Sequence, residues 1–142
     1  MNSRAPSSLV STFLRLRPDS SIEQLAFDDS FWPGLMSGKL GTFHHEYLVT
    51  TSSFREDWPN WERHTNGDEI VCLLSGAVTF VFERENGNEE VSLGDVGEFV
   101  FVPQGVWHTA RTSVPTLMLF ITAGEGTEGR PAMPPAAREL SS

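Results

Sequence analysis

The chain has 142 residues, of which 39% are hydrophobic, and this length and composition predict one domain with a single core. Its 19 acidic and 10 basic residues give a formal charge of −9 without a cluster of Lys and Arg, which argues against nucleic acid as a partner. No segment approaches the length of an apolar membrane span and no secretory signal pattern begins the chain, so we expect no membrane association and a cytoplasmic location.

The first third of the chain predicts edge strands and one helical turn. Ten Phe and four Trp, with many Val and Thr, favour strands over a helical bundle. Residues 1–8 are polar, and we expect a flexible N-terminus there. Residues 9–27 predict one or two edge strands, broken by turn formers at 18–21. The acidic and hydroxyl residues at 28–30 predict the N-cap of a short helical turn over 31–36, which would close one end of a barrel.

Short strand patterns then follow at regular intervals. We predict strands at 43–54, 61–65, 69–74, 77–84, 89–93, 97–102, 107–112 and 116–122. Turn residues separate them, among them the Asn86-Gly87 pair that is typical of a hairpin. No long helical pattern lies between the strands, so we predict an all-β sandwich or closed barrel and not parallel βαβ units. This domain would occupy 9–123, followed by an irregular C-terminal tail rich in Gly and Pro over 124–142.

Potential metal ligands lie around a second turn signal, Asn66-Gly67. A two-residue type I′ turn at this pair would place His64 directly opposite Glu69 in a hairpin, with both side chains on one sheet face. Because side chains alternate along a strand, Glu62 would share that face with His64. The hairpin alone therefore predicts three converging ligand candidates.

A fourth candidate, His108, lies in a separate pattern. The spacing there is Gly97-x5-Pro103-x-Gly105-x2-His108, in which the glycines are expected to serve tight turns. The reversal at 103–105 begins a new strand, and a fold that brings this strand beside the first three candidates would complete a four-residue cluster. That proximity is a hypothesis, because spacing alone does not establish it.

Together the two patterns resemble the two motifs of the cupin family. The second motif is matched at Gly97, Pro103, Gly105 and His108, with Thr112 where the family has Asn. The first motif is matched at His64, Glu69 and Gly76, with Glu56 where the family has its opening Gly and Glu62 where it has the first His. The resemblance implies a double-stranded β-helix, which is a small jelly-roll barrel of two antiparallel sheets.

The same resemblance implies a divalent metal ion inside the barrel. By position, its ligands would be Glu62, His64, Glu69 and His108, a set of two imidazoles and two carboxylates that suits Mn, Fe, Ni or Zn. Two adjacent carboxylates are tolerated best when a cation or an Arg neutralises them or when one of them is protonated. Arg63 and Arg111 are poor internal counterions because each should point away from the face that carries the histidines. Whether Glu62 itself is a ligand, and whether the cluster is instead a metal-free hydrogen-bonded core, stays open.

Two functions from different classes follow from these observations. The first is a metal-dependent cupin that acts on or binds a small organic molecule by oxygenation, isomerisation or decarboxylation. The second is a metal-free sensor or small-ligand binding cupin without catalysis, which the missing first His of the motif favours. A third possibility is a purely structural β domain in an oligomer. We expect a homodimer with residues 9–27 as the candidate contact. We expect His44 and His45 to lie at the surface or to support the site from outside the ligand set, with at most one of them facing the barrel interior.

Overall fold

The structure, a computed structural model, describes residues 5–132 and builds them almost entirely from strands. The described elements are β1 Thr12–Leu16, β2 Ile22–Ala26, α1 Phe31–Met36, β3 Tyr47–Phe54, β4 Asn60–His64, β5 Glu69–Ser75, β6 Val78–Arg84, β7 Gly87–Leu93, β8 Phe99–Val102, β9 His108–Arg111, β10 Thr116–Ala123 and β11 Thr127–Pro131. Their order follows the alternation of apolar and polar residues with intervening turn residues, so the all-β prediction is confirmed.

Two antiparallel sheets face each other. One has six strands in the order β2-β1-β3-β10-β5-β8, and the other has five in the order β11-β4-β9-β6-β7. From β3 to β11 the chain alternates between the two sheets, except at the β6–β7 hairpin. This winding makes a double-stranded β-helix, as the resemblance implied. The first motif therefore lies on β4 and β5, which belong to opposite sheets, and the second lies on β8 and β9. β9 is a neighbour of β4, and β8 is a neighbour of β5.

The core fills the space between the sheets with alternate residues of each strand. Its buried members are Val71, Leu73, Val78, Phe80, Phe82, Leu93, Val100, Val102, Ala110, Met118 and Phe120. On β5 the inward positions are Glu69, Val71 and Leu73, which shows the period of two expected of a strand. Burial of each large apolar side chain contributes about 1.5–3 kcal/mol. The sequence alternation thus determines both the core and the inward direction of Glu69.

A second apolar cluster holds α1 against β1 and β3. Its buried members are Phe13, Phe31, Phe43 and Leu48. The predicted helical turn is confirmed, but the capping differs: Asp28 Oδ1 accepts hydrogen bonds from the Ser30 amide at 2.9 Å and the Ser30 hydroxyl at 2.5 Å, and Ser30 itself makes no side-chain cap. Gly38 follows the helix with a φ of +81°, as a glycine C-cap does.

Among the described residues, no helix has the length and apolar character to cross a membrane.

The predicted hairpin at Asn66-Gly67 is wrong. β4 and β5, which flank this pair, belong to different sheets, and neither residue has the positive φ that a type I′ turn requires. The segment instead crosses between the sheets, and its polar groups bond to neighbouring loops: Gln104 Nε2 donates to the Thr65 carbonyl at 2.6 Å, and the Thr65 amide donates to the Gly126 carbonyl at 2.9 Å. Tertiary hydrogen bonds have therefore overridden the local turn preference.

The irregular tail predicted from residue 124 is also wrong in part. β11 lies inside that segment and pairs with β4, with Thr127 opposite His64 and Gly129 opposite Glu62. It was missed because it is an exposed edge strand whose Gly and Pro residues lack an apolar alternation. The remainder of the tail, 133–142, and residues 1–4 of the predicted flexible N-terminus lie outside the described residues.

Candidate metal centre

The four predicted ligands meet between the two sheets. Glu62 and His64 come from β4 and His108 from β9 of the five-stranded sheet, and Glu62 is the register partner of His108. Candidate ligand atoms of these three residues all lie within 4.8 Å of one another. Glu69 reaches the same point from β5 of the six-stranded sheet. The proximity of His108 to the first motif, which spacing alone did not establish, is therefore present in the structure.

Glu69 contacts both imidazoles with different oxygens. Its Oε2 atom lies 3.2 Å from His64 Nε2, and its Oε1 atom lies 3.2 Å from His108 Nε2. Neither contact has hydrogen-bond geometry, and the two Nε2 atoms and Oε1 are buried without a hydrogen-bond partner among the described residues. Two ligands bound at about 2.1 Å to one ion are separated by about 3.0–3.4 Å at octahedral or tetrahedral angles. The spacing therefore suits coordination of a shared ion better than direct hydrogen bonds.

The other ring nitrogen of each imidazole has a polar partner. His108 Nδ1 lies 3.0 Å from the Val106 carbonyl, and His64 Nδ1 lies 2.9 Å from the Thr127 hydroxyl oxygen. A carbonyl oxygen only accepts, so His108 Nδ1 carries the proton and a neutral His108 ring presents a lone pair at Nε2. Metal-ligating histidines are oriented in this way by outer contacts. The residues present therefore fit a metal ion.

The loop of the second motif places His108 and ties it to the first motif. Gly105 adopts a φ of +80°, which reverses the chain before β9. Its amide donates to the His64 carbonyl at 2.8 Å, and the Val106 amide donates to the Pro103 carbonyl at 3.2 Å. The Pro and Gly of the motif thus fix the distance between the two histidine-bearing strands.

Charge and burial shift the pKa values of the cluster in opposite directions. Burial raises the pKa of Glu62 above 4.5, and the Glu69 carboxylate adds to the increase. Burial opposes ionisation of Glu69 as well, but contact with His108 and His64 outweighs it and lowers its pKa to about 2. Burial alone would lower the pKa of His108, whereas the Glu69 carboxylate raises it above 6.5. Glu69 is therefore the stable anion of the site, and Glu62 holds its proton more readily.

Three residues of the cluster, Glu62, His64 and Glu69, line a cavity of about 630 Å³. Six hydroxyl residues and several apolar and aromatic residues complete its walls: Val10, Phe27, Trp32, Leu35, Leu48, Thr50, Thr51, Ser52, Ser53, Trp58, Pro59, Asn60, Leu117, Phe120, Thr122, Ala123, Gly124 and Thr127 surround Glu62, His64 and Glu69. A cavity of this volume is large enough for a small organic molecule.

The first motif thus lines a cavity between two sheets that the chain crosses in alternation, and His108 of the second motif contacts Glu69 of the first. The chain has the cupin fold. Within this cupin barrel, Glu62 occupies the position of the missing first His and points at the same centre. Glu62 is therefore a candidate ligand at the motif position where the cupin pattern has its first His.

No model of a known protein family and no curated protein matches the chain. Among solved structures, it resembles a cupin-2 domain-containing protein from Shewanella frigidimarina (21% identity, 54% of this chain, 70% of that chain, TM-score 0.47). It also resembles a protein from Neisseria meningitidis (19% identity, 54% of this chain, 74% of that chain, TM-score 0.46). A third similar structure is hydroquinone 1,2-dioxygenase from Sphingomonas (17% identity, 56% of this chain, 60% of that chain, TM-score 0.48). At these scores the fold assignment rests on the strand order and the motif positions.

The remaining polar candidates lie outside the barrel. Arg63 pairs with Glu128 and Arg111 with Glu90 on outer faces, as their odd spacing from the histidines predicted. His44 and His45 are exposed and precede β3, so their predicted surface location is confirmed. Hence these four residues do not neutralise the acidic pair inside the cupin barrel.

Two hydroxyl residues that support the cluster were missed in the sequence. The Thr122 hydroxyl donates to Glu69 Oε2 at 2.5 Å, and Thr127 holds His64. Thr122 lies in a predicted strand but its partner strand was unknown, and Thr127 lies in the segment interpreted as irregular. The only signal for Thr127 in the sequence was a hydroxyl residue directly after Gly126, and this signal is weak.

Replacing Thr127 with Val should weaken Zn²⁺ binding by about 10- to 100-fold, because the isosteric change removes the hydroxyl that orients His64. Thr127 is exposed on an edge strand, so the fold should be unaffected. Competition titration with a chromogenic chelator measures the affinity. Thr127→Ser, which keeps the hydroxyl, serves as the matched control and should bind like the unmodified protein; equal affinity of the Val and Ser variants would contradict the role of this contact.

The metal-free protein should lose stability as the pH rises above about 4.5, and further as it rises above about 6.5. The raised pKa of Glu62 means that the folded state binds more protons than the unfolded state above pH 4.5, so the free energy of unfolding falls through that window. The raised pKa of His108 acts in the same direction above pH 6.5. The lowered pKa of Glu69 acts oppositely and only below pH 4.5.

Glu62→Gln should flatten this pH profile, since the variant removes the titrating carboxyl. Urea unfolding of metal-free protein at several pH values provides the measurement. Glu56→Gln removes the same charge from an exposed residue and is the control for net charge. If the Glu62 and Glu56 variants show the same dependence of stability on pH, the Glu62 carboxyl is not responsible for it.

Proposed function

We propose that this cupin barrel holds a divalent metal ion through His64, His108, Glu69 and Glu62. The observation that supports the proposal most strongly is the pair of buried Nε2 atoms that converge without a hydrogen-bond partner among the described residues. A buried polar atom without a partner costs about 1–3 kcal/mol, which an ion would offset. Two imidazoles and two carboxylates suit Mn, Fe, Ni or Zn.

We further propose that the metal site acts on or binds a small organic molecule in the cavity. A bound ion supplies a Lewis acid and an exchangeable coordination position. The protein contributes a cavity that opens directly on the cluster, so a small molecule has access to it. Glu69 and Glu62 balance the charge of a divalent ion, and the aromatic walls restrict water. Oxygenation, isomerisation and decarboxylation are the reaction types that such a site would serve.

Titration with Zn²⁺ or Co²⁺ tests the metal proposal. Protein purified without chelator and then stripped should take up one ion per chain, and Zn²⁺ should raise the thermal unfolding midpoint by mass action. The Co²⁺ complex should show visible absorption bands that report nitrogen and oxygen ligands. The proposal is contradicted if neither ion binds the stripped protein.

A metal-free ligand-binding cupin is the alternative, and one observation favours it. Glu69 lies between the two imidazoles, and its carboxylate raises the pKa of His108 and so stabilises the protonated form of that ring without an ion. Thermal unfolding with EDTA separates the two functions. A metal protein should lose stability when EDTA is added, whereas a metal-free binder should be stabilised by an organic ligand and be indifferent to EDTA.

The homodimer and the cytoplasmic location remain predictions. β2 is the outer strand of the six-stranded sheet, so the edge predicted within residues 9–27 is unpaired in the described chain. An edge of this kind can pair with a second copy. Sedimentation equilibrium of the unmodified protein tests the dimer.

A further inference from the structure

The cavity beside the proposed metal centre is lined by two acidic residues, Glu62 and Glu69, but, within residues 5–132, by no Lys or Arg. Several described arginines are engaged elsewhere, as Arg15 is with Glu46 and Arg130 with Glu83. A bound divalent ion would bring the charge of the ion and the two carboxylates together to near zero. No positive charge would then remain to compensate a further anion.

The walls of the cavity are apolar and aromatic. Trp58 packs against Phe80 and Phe120 with ring-centroid distances of 5.7 and 6.0 Å, so one wall is a fixed aromatic surface. Leu48 and Leu35 contribute aliphatic surface to the same cavity. Such surface favours a ligand with an apolar body, and a planar ring can stack on the indole.

Apart from Asn60, Glu62, His64 and Glu69, the polar part of the wall consists of uncharged hydroxyl groups. Thr50 is the register partner of Phe120 on β10 and is only 7% exposed. Its hydroxyl makes no side-chain hydrogen bond within the described part of the chain, and neither does that of Ser52, which also lines the cavity. Hydroxyls can donate to or accept from a neutral polar group of a ligand.

We infer that this cavity takes an uncharged organic molecule with a body about the size of an aromatic ring, and that it discriminates against carboxylates and other anions. The inference rests on the proposed metal site. An anion would enter a largely apolar cavity beside two carboxylates whose charge already offsets that of the ion, with no Lys or Arg of residues 5–132 as its partner, which is costly at low dielectric. A neutral hydroxyl or amide meets the hydroxyl groups and aromatic surface without that penalty.

Calorimetric titration with matched pairs tests the inference. The probes are benzamide against benzoate and phenylacetamide against phenylacetate, which have nearly the same shape and differ in charge at neutral pH. Zn²⁺-loaded protein should bind the amides at least about tenfold more tightly than the carboxylates, a difference of about 1.4 kcal/mol. Carboxylates that bind as tightly as the amides would overturn the inference. Failure of all four probes to bind would overturn it too, because the cavity would then not accept a ring.

A charge introduced at the cavity should reverse the preference. Ser52 is exposed and lines the cavity, so Ser52→Arg supplies the missing cation without disturbing the core. Phenylacetate should bind Ser52→Arg at least about tenfold more tightly than Ser52→Gln, the uncharged control of similar length. Equal phenylacetate affinity of the two variants would count against the inference.

The same titrations on stripped protein separate this inference from the metal proposal. If Zn²⁺ does not bind, the metal proposal fails while the ligand preference is still measured. Without the ion, the two carboxylates are uncompensated, so the preference for amides over carboxylates should become larger. A preference for carboxylates in the stripped protein would contradict the charge argument itself.

Discussion

Replacement of His108 with alanine is expected to weaken Zn²⁺ binding by more than about 100-fold, which exceeds the loss caused by removing a supporting contact of a ligand. His108 is 0% exposed, and its Nε2 atom lies 3.2 Å from Glu69 Oε1 and close to the other proposed ligands. Without this nitrogen the site keeps one imidazole, and β9 no longer contributes a proposed ligand. Competition titration of the stripped variant measures the affinity.

Two controls keep this experiment interpretable. His44→Ala removes an imidazole whose side chain is 76% exposed, and it should bind Zn²⁺ like the unmodified protein. His108→Gln fills most of the space of the lost ring, so it distinguishes loss of a ligand from collapse of the core. Unchanged Zn²⁺ affinity in both His108 variants, with the fold intact by circular dichroism, would contradict the assignment.

Gly76→Ala is expected to lower the free energy of unfolding by about 2–5 kcal/mol. Gly76 has a φ of +89°, and a Cβ atom there would lie 2.3 Å from the Pro115 carbonyl oxygen and 2.8 Å from Thr116 Cα. These neighbours are backbone atoms and cannot move aside without shifting β10. Urea unfolding of the metal-free protein measures the change.

Gly97→Ala is the matched control for backbone strain. Gly97 has nearly the same φ, +92°, but a Cβ atom there would meet no atom within 4 Å. It should therefore show only the conformational part of the cost, about 1–2 kcal/mol. Equal destabilisation by the two substitutions would show that the close approach to Pro115 is not responsible.

The positions of the strands along the sequence were largely predictable because the signals for a strand are local. Alternating apolar residues and turn formers indicated most strands to within a few residues, including β5 and β10. The sheet to which each strand belongs is not a local property, and the hairpin predicted at 66–67 failed for that reason. β11 escaped prediction because an exposed edge strand needs no apolar face.

The candidate site was predictable as a set of residues but not as a geometry. Motif spacing singled out Glu62, His64, Glu69 and His108, and the structure brings all four together. His64 and Glu69 meet across the two sheets, however, and not as neighbours in a hairpin. The supporting Thr127 hydroxyl depends on the pairing of two strands more than 60 residues apart in sequence, namely 63 residues between His64 and Thr127.

Anomalous diffraction from crystals grown with Zn²⁺ tests the metal centre most directly. The predicted result is one strong peak within about 2.5 Å of His64 Nε2 and His108 Nε2 and next to a Glu69 oxygen. A peak at another place on the chain, or no peak between these residues at saturating Zn²⁺, would contradict the proposal that this cavity is a metal site.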